Sequence, residues 1–205
     1  MIRRIIDISH HEDSIDFVKV AGAGIVAIIA KASQGTSWVD PAYARFKRAA
    51  APQKFLWGSY HFGTAADVEA QVTHYLATTK PNNNELVCLD FEKNPAGSTM
   101  TLRQARQFVR RFRERTNRRP VLYGGAWLKE QLAGKADELL SQCPLWISQY
   151  GPKPILPPGW KKYALWQYTD GKAGPAPREV NGIGPCDHSQ YGGTIAQLRS
   201  RWPFG

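Results

Sequence analysis

Asp90 and Glu92 are the residues of this chain best placed to do chemistry. They close the run Leu86-Val87-Cys88-Leu89-Asp90-Phe91-Glu92, and Lys93-Asn94-Pro95-Ala96-Gly97 follows at once. The apolar residues read as a buried strand, and the proline-glycine break reads as the loop after it. Side chains alternate along a strand, so both carboxylates face one way, with Cβ atoms about 6–7 Å apart. Two acids on one face oppose each other's ionisation, and one can then keep its proton near neutral pH, as a general acid must. That chemistry suits glycoside hydrolysis, in which one acid protonates the leaving oxygen and the other manages the opposite face of the sugar. The plainer alternative is a solvated or ion-paired loop acid.

Other reactive side chains offer less. Cys88, Cys143 and Cys186 are odd in number and match no disulfide framework or metal motif, so reduced thiols are expected, Cys88 as a small buried hydrophobe. His10 and His11 would fall on opposite faces of a strand and make a poor chelate. No acid or histidine spacing matches a metal-ligand set, so neither metal nor cofactor is expected. The formal net charge is +10, and Arg103, Arg106, Arg110, Arg111, Arg113, Arg115, Arg118 and Arg119 crowd one segment. Two readings stay open: a solvated helix face, or attraction to a polyanion such as nucleic acid, an anionic cell wall or an outer leaflet. No base-reading motif accompanies the arginines, so no specific nucleic-acid partner is expected.

Composition bounds the frame. With 205 residues, 42% hydrophobic and 21% charged, the expectation is one globular domain over residues 1–205, and disorder is not expected. The longest membrane-like stretch, residues 21–32, is broken by small residues and contains Lys31, so no membrane span is expected. Residues 1–7 lack an apolar signal core and a cleavage motif, so no secretory signal is seen.

Strand-like runs occupy residues 4–9, 25–30, 55–61, 86–92, 121–123, 145–150, 163–168 and 187–191. Between the early ones lie helix signals: a cap at Ser14 with a stop at Gly22, a start at Asp40-Pro41, a cap at Thr64, and a capping-box pair at Thr101 and Gln104. Weaker helices are expected near residues 126–132 and 194–199. Strand-helix alternation implies a parallel sheet. Eight strands with about five convincing helices point to an α/β, irregular TIM-like barrel whose last strands lack helices. Chemistry in such barrels sits at the carboxyl ends of the strands, where Asp7, Lys31, Tyr60, Asp90, Glu92, Tyr123, Trp146, Tyr150, Trp166, Gln167 and Asp187 gather. An open dinucleotide-binding sheet fails, because Ala21-Gly22-Ala23-Gly24 precedes a strand instead of following one.

Several of these motifs, in this order and spacing, resemble the family 25 glycoside hydrolases, the Chalaropsis-type lysozymes. They include Asp7-Ile8-Ser9, Ala30-Lys31-Ala32-Ser33-Gln34-Gly35, Gly58-Ser59-Tyr60-His61-Phe62, Leu89-Asp90-Phe91-Glu92, Leu145-Trp146-Ile147-Ser148-Gln149-Tyr150, Leu165-Trp166-Gln167-Tyr168 and Cys186-Asp187. The resemblance spans nearly the whole chain. It implies a barrel of eight strands and about five helices. It also implies cleavage of the β-1,4 bond between N-acetylmuramic acid and N-acetylglucosamine in peptidoglycan. Carried over, Glu92 is the general acid and Asp90 its partner. Asp7 and Asp187 complete a four-acid site as neighbours across the barrel seam. The loop His10-His11-Glu12-Asp13 departs from the family's glutamine and glycine, and Gly182-Ile183-Gly184-Pro185-Cys186 is an unusual approach to Asp187.

Within this resemblance Tyr60, Tyr123, Trp146, Tyr150 and Trp166 are candidate sugar-stacking walls, with Trp146 and Trp166 desolvating Glu92. Lys31 has two readings, a contact to a muramyl lactate or peptide carboxylate and a salt bridge to a site acid. Asp90 either stabilises the oxocarbenium-like centre or orients the substrate's N-acetyl group. The expected partner is the peptidoglycan glycan strand, met by a monomer. The setting is a phage lytic enzyme or a secreted effector reaching the wall after release or export. The alternative is a catalytically weak wall-binding module.

Overall fold

Eight strands close a barrel in a computed structural model that describes residues 1–205. The chain runs β1 (Ile2–Ile8), α1 (Phe17–Gly22), β2 (Ala27–Gln34), β3 (Trp38–Val39), α2 (Tyr43–Ala50), β4 (Leu56–Phe62), α3 (Val68–Thr79), β5 (Leu86–Asp90) and α4 (Leu102–Thr116). It continues through β6 (Val121–Gly124), α5 (Ala126–Leu132), β7 (Leu145–Ser148), β8 (Leu165–Thr169), β9 (Glu179–Val180), β10 (Gly184–Pro185), β11 (Asp187–Tyr191) and α6 (Ile195–Arg201). Around the barrel the order is β1, β11, β8, β7, β6, β5, β4, β2 and back to β1, while β3 hangs on the outer edge of β2. No helix is long and apolar enough to cross a membrane.

The sheet is mixed, where alternation implied a parallel one. β11 runs antiparallel to both β1 and β8. Parallel neighbours need a crossover, usually a helix. Between β8 and β11 the chain offers only the β9–β10 hairpin, so the last strand returns in the opposite direction. This reversal carries Asp187, the first residue of β11, to the end of the barrel where β1 finishes.

Alternation sorts the strands into two cores. Ile5, Ala27, Ile29, Leu86, Cys88, Val121 and Leu165 fill the barrel. Their neighbours Ile6, Ile28, Val87, Leu89, Leu122 and Trp166 point outward under the helices, against residues such as Val72, Phe108 and Phe112. Six α-helices form, among them the two weaker ones expected near residues 126–132 and 194–199. The last, α6, places Leu198 under the barrel floor, with Trp202 just beyond it.

Helix starts follow whichever side chain reaches the first free N–H groups. Asp16, not Ser14, caps α1 by accepting from Val18 and Lys19. Asp67, not Thr64, caps α3 through Ala70, and the Thr64 amide instead donates to Gln71 Oε1. α2 begins at Tyr43, after a turn in which Asp40 Oδ1 accepts from Ala42. The Thr101–Gln104 capping box on α4 forms as expected. Each such cap contributes about 1 kcal/mol.

The arginine-rich segment is largely engaged by the fold. Arg106 pairs with Asp137, Arg111 with Glu69 and Glu114, and Arg115 with Glu69. Arg118 donates to the Asn82 and Glu85 carbonyls and Arg119 to Gln142. Of the eight, Arg103, Arg110 and Arg113 form neither an ion pair nor a side-chain hydrogen bond, which favours the solvated-face reading. All three cysteines are free and buried. His10 and His11 lie beyond the end of β1, in a turn, so their rings sit 4.2 Å apart at a 36° tilt instead of facing opposite ways. His61 is buried between Ser33 Oγ and Gln71 Oε1 and stacks on Phe108, a packed histidine on the helix side.

Candidate active site

Asp7, Asp90 and Tyr123 reach one end of the barrel for one local reason. Each follows an inward-facing apolar residue by two positions, namely Ile5, Cys88 and Val121, so alternation turns each inward. β5 ends at Asp90, but the Phe91 N–H still donates to the Tyr123 carbonyl, which keeps the backbone in register for one more residue. Glu92 therefore returns to the side of Asp90. Asp7 and Asp187 stand directly opposite each other in the β1–β11 ladder.

These four acids line one cavity of about 200 Å³. Tyr60, Tyr123, Trp146 and Tyr150 form its walls, and Gln167 completes it. Gln167 is the hub of the hydrogen bonding. Its Nε2 donates to Asp7 Oδ2 at 2.9 Å, and its Oε1 accepts from Tyr123 Oη at 2.9 Å, from Ser148 Oγ at 3.2 Å and from Tyr150 Oη at 3.3 Å. Trp146 is fixed by its Nε1 donating to Ser189 Oγ at 2.8 Å. Oδ1 of Asp7 and Oδ1 of Asp90 are buried and find no partner among the protein's own groups.

Burial dominates the electrostatics. It pushes Asp7 well above the usual carboxylate range, and Asp187 adds to the shift. Asp90 is likewise held well up, by burial and then by Glu92. Burial raises Glu92 against the pull of the Lys31 charge. Asp187 is pushed up to about 7 by burial and by Glu12. The four carboxyls titrate as a linked set, and they do not all ionise near neutral pH. Tyr60 and Tyr123, raised by burial and by these acids, stay protonated donors.

Two residues expected in the site lie outside it. Trp166 points away from the barrel, its Nε1 donating to the Gln149 carbonyl at 2.7 Å and its ring against Tyr163 and Tyr168. Its neighbour Gln167 takes the inward position. Lys31 precedes an irregularity in the β2–β4 register, and its ammonium turns to Gln34 Oε1 and over the rings of Trp38 and Phe62. It makes no ion pair with a site acid, although its charge acts on Asp90 and Glu92. Gln167 is the functional residue that sequence reasoning left among the rim residues without a role. Its signal was its place two residues after Leu165 on a strand with an apolar start.

A second groove of about 530 Å³ opens from the first and shares Glu92 and Tyr150 with it. The largest cleft, about 910 Å³, lies at the other end of the barrel, beside the starts of β7 and β8 and the end of β11. No carboxyl group lines it, so it cannot supply the carboxyl pair that glycoside hydrolysis uses. At the acid end the ingredients are a protonated carboxyl, further carboxylates, fixed amide and hydroxyl donors, and ring walls. That set can protonate a leaving oxygen and stabilise a developing positive charge on a sugar ring.

The sequence profile of Glycosyl hydrolases family 25 matches residues 6–175. Lysozyme M1 of Streptomyces globisporus is 28% identical over 208 residues, covering 94% of this chain and 69% of that protein. An N,O-diacetylmuramidase of Chalaropsis is 26% identical over 185 residues, covering 82% of this chain and 88% of its own. The crystal structure of a lysozyme from Streptomyces coelicolor superposes with a TM-score of 0.81 at 26% identity, covering 95% of this chain and 94% of that one. With a family profile matched over most of its length and a barrel shared with a lysozyme, this chain belongs to glycosyl hydrolase family 25.

Proposed function

We propose that the protein is a muramidase that hydrolyses the β-1,4 bond between N-acetylmuramic acid and N-acetylglucosamine in peptidoglycan. Glu92 donates its proton to the leaving glycosidic oxygen. Asp90, beside it, stabilises the oxocarbenium-like sugar or orients the substrate's N-acetyl group to do so. Asp7 and Asp187 set the charge and hydrogen bonding of the floor, with Gln167 holding Asp7. Tyr60, Tyr123, Trp146 and Tyr150 wall the reacting sugar. Residues 1–205 act as one catalytic unit and as a monomer. The protein works on the cell wall, reached by release or export.

The observation that carries this reading is the convergence of Glu92 and Asp90 on one buried cavity at the carboxyl ends of the strands, with burial and the repulsion between the two keeping a proton on the pair. Related proteins named lysozyme and N,O-diacetylmuramidase support the bond assigned. The test is Glu92→Gln on purified sacculi, with mass analysis of the reducing ends released. Loss of a general acid should cut activity by roughly 10²–10⁴-fold. The thermal midpoint should stay within a few degrees of wild type. Full residual activity, or reducing ends on N-acetylglucosamine, overturns the assignment.

A further inference from the structure

We infer that the groove beside the acid cavity reads the carboxylates carried by muramic acid, through Lys93 and Lys129. This rests on the muramidase reading and deepens it. The groove shares Glu92 and Tyr150 with the acid cavity, so a glycan lying across Glu92 runs into it on one side. Its remaining charged lining is cationic, Lys93 and Lys129, with Trp127 as its largest apolar face. Neither ammonium is paired with a protein carboxylate. Lys129 is instead held by a neutral group, donating to Gln149 Oε1 at 2.6 Å, so its position is set while its charge is left uncompensated. It stands one turn into α5, whose start is pressed onto β7. A Cβ on Gly125 would lie 2.7 Å from the Ser148 carbonyl oxygen, so that close approach needs glycine.

A neutral amino sugar gains little from two ammonium groups. N-acetylmuramic acid differs from N-acetylglucosamine by an O3 lactyl ether, which carries either a free carboxylate or a stem peptide with carboxylates of its own. Both sources present the same chemistry, an anion projecting from one sugar in two. Charge-assisted hydrogen bonds to these lysines distinguish that sugar, and Trp127 offers a face for the lactyl methyl or the ring. Lys31, the lysine the sequence offered for this role, is occupied by Gln34 and two aromatic rings.

The test compares wild type with the double variant Lys93→Met, Lys129→Met on three substrates. These are peptide-bearing glycan, glycan stripped of peptide with free lactyl carboxylates, and the stripped glycan with those carboxylates converted to methylamides. Wild type should favour the anionic strands over the amidated one by about tenfold in kcat/KM, the size expected of one charge-assisted bond. The double variant should lose that preference, mainly through KM, while keeping its rate on the amidated strand. A loss confined to the peptide-bearing strand assigns the contact to the peptide, and a loss on the stripped strand assigns it to the lactyl group. Equal losses on all three substrates, or no preference in wild type, overturn the inference. Affinities measured in a Glu92→Gln background separate it from the lytic reading. Lysine-dependent preference for anionic strands without any cleavage by the unmodified protein would retain the groove and end the muramidase assignment.

Discussion

Gln167 Nε2 donates to Asp7 Oδ2 at 2.9 Å, reaching past β11 to join the eighth strand to the first. The same amide accepts three hydroxyl donors at its oxygen, so its orientation is fixed and Asp7 receives the NH₂ end. Gln167→Leu keeps the volume and removes all four bonds. Asp7, already lacking a partner at Oδ1, would then be buried with neither oxygen bonded. Stranding these groups should cost about 1–3 kcal/mol of stability. Activity on wall substrate should fall by roughly 10–100-fold, as for other groups that orient a reacting residue. Wild-type turnover in a correctly folded Gln167→Leu protein would show that the acid floor needs no such support.

Where alternation had an amphipathic pattern to work on, the site was legible in the sequence. Ile5-Ile6-Asp7 and Cys88-Leu89-Asp90 each place an acid two positions from an apolar partner, and both acids face inward. In Leu165-Trp166-Gln167-Tyr168-Thr169 the same two-position offset from Leu165 marks Gln167, but the tryptophan beside it is the residue type that suits a sugar wall and draws the inward assignment. A slip of one residue exchanges Trp166 for Gln167. Lys31 was misplaced because the β2–β4 register shifts just after it, which no residue type announces. The reversal of β11 left only an indirect trace, the missing helix before it. Had that strand run parallel, Asp187 would sit at the wrong end of the barrel.

Trp166 and Trp146 give opposite outcomes on truncation. Trp166→Phe removes the indole bond to the Gln149 carbonyl outside the barrel. It should lower stability by about 1–2 kcal/mol, with kcat/KM within about twofold of wild type. Trp146→Phe reshapes the cavity wall and frees Ser189 Oγ, and should lower kcat/KM by roughly tenfold or more. Thermal unfolding and initial rates on the same preparations separate the two. An activity loss in Trp166→Phe as large as that in Trp146→Phe would return Trp166 to the site.

Stability should fall on both sides of a mildly acidic optimum. Asp187 has a folded pKa of about 7 against about 3.9 unfolded, so between these values the unfolded chain releases a proton that the folded one keeps. Its contribution to stability is therefore lost as pH rises from 4 to 7. His61 runs the other way, buried and held down to about 3, so the unfolded chain takes up a proton the folded one refuses as pH drops below about 6.5. His188, down to about 4, adds to that acid limb. Asp187→Asn removes the alkaline penalty alone. It should raise the thermal midpoint at pH 8 by roughly 4–8 °C, for about 2 kcal/mol in a chain of this size, and change it little at pH 4. Midpoints measured from pH 3 to 9 check this, and an equal gain at both ends would show that Asp187 is not the titrating group.

Lys31 acts on the acids through space without touching them. Its charge lowers both Asp90 and Glu92, against the burial that raises them. Lys31→Met therefore raises both carboxyl pKa values. In a bell-shaped profile of kcat/KM, the acid limb reports the carboxylate that must be ionised and the alkaline limb the acid that must keep its proton. Both limbs should move to higher pH, so the variant loses activity at acidic pH and retains it further into the alkaline range. A lysine that held substrate directly would instead lower kcat/KM at every pH and leave the limbs in place. The profile on a soluble glycan at constant ionic strength distinguishes these cases, since salt screens the same interaction.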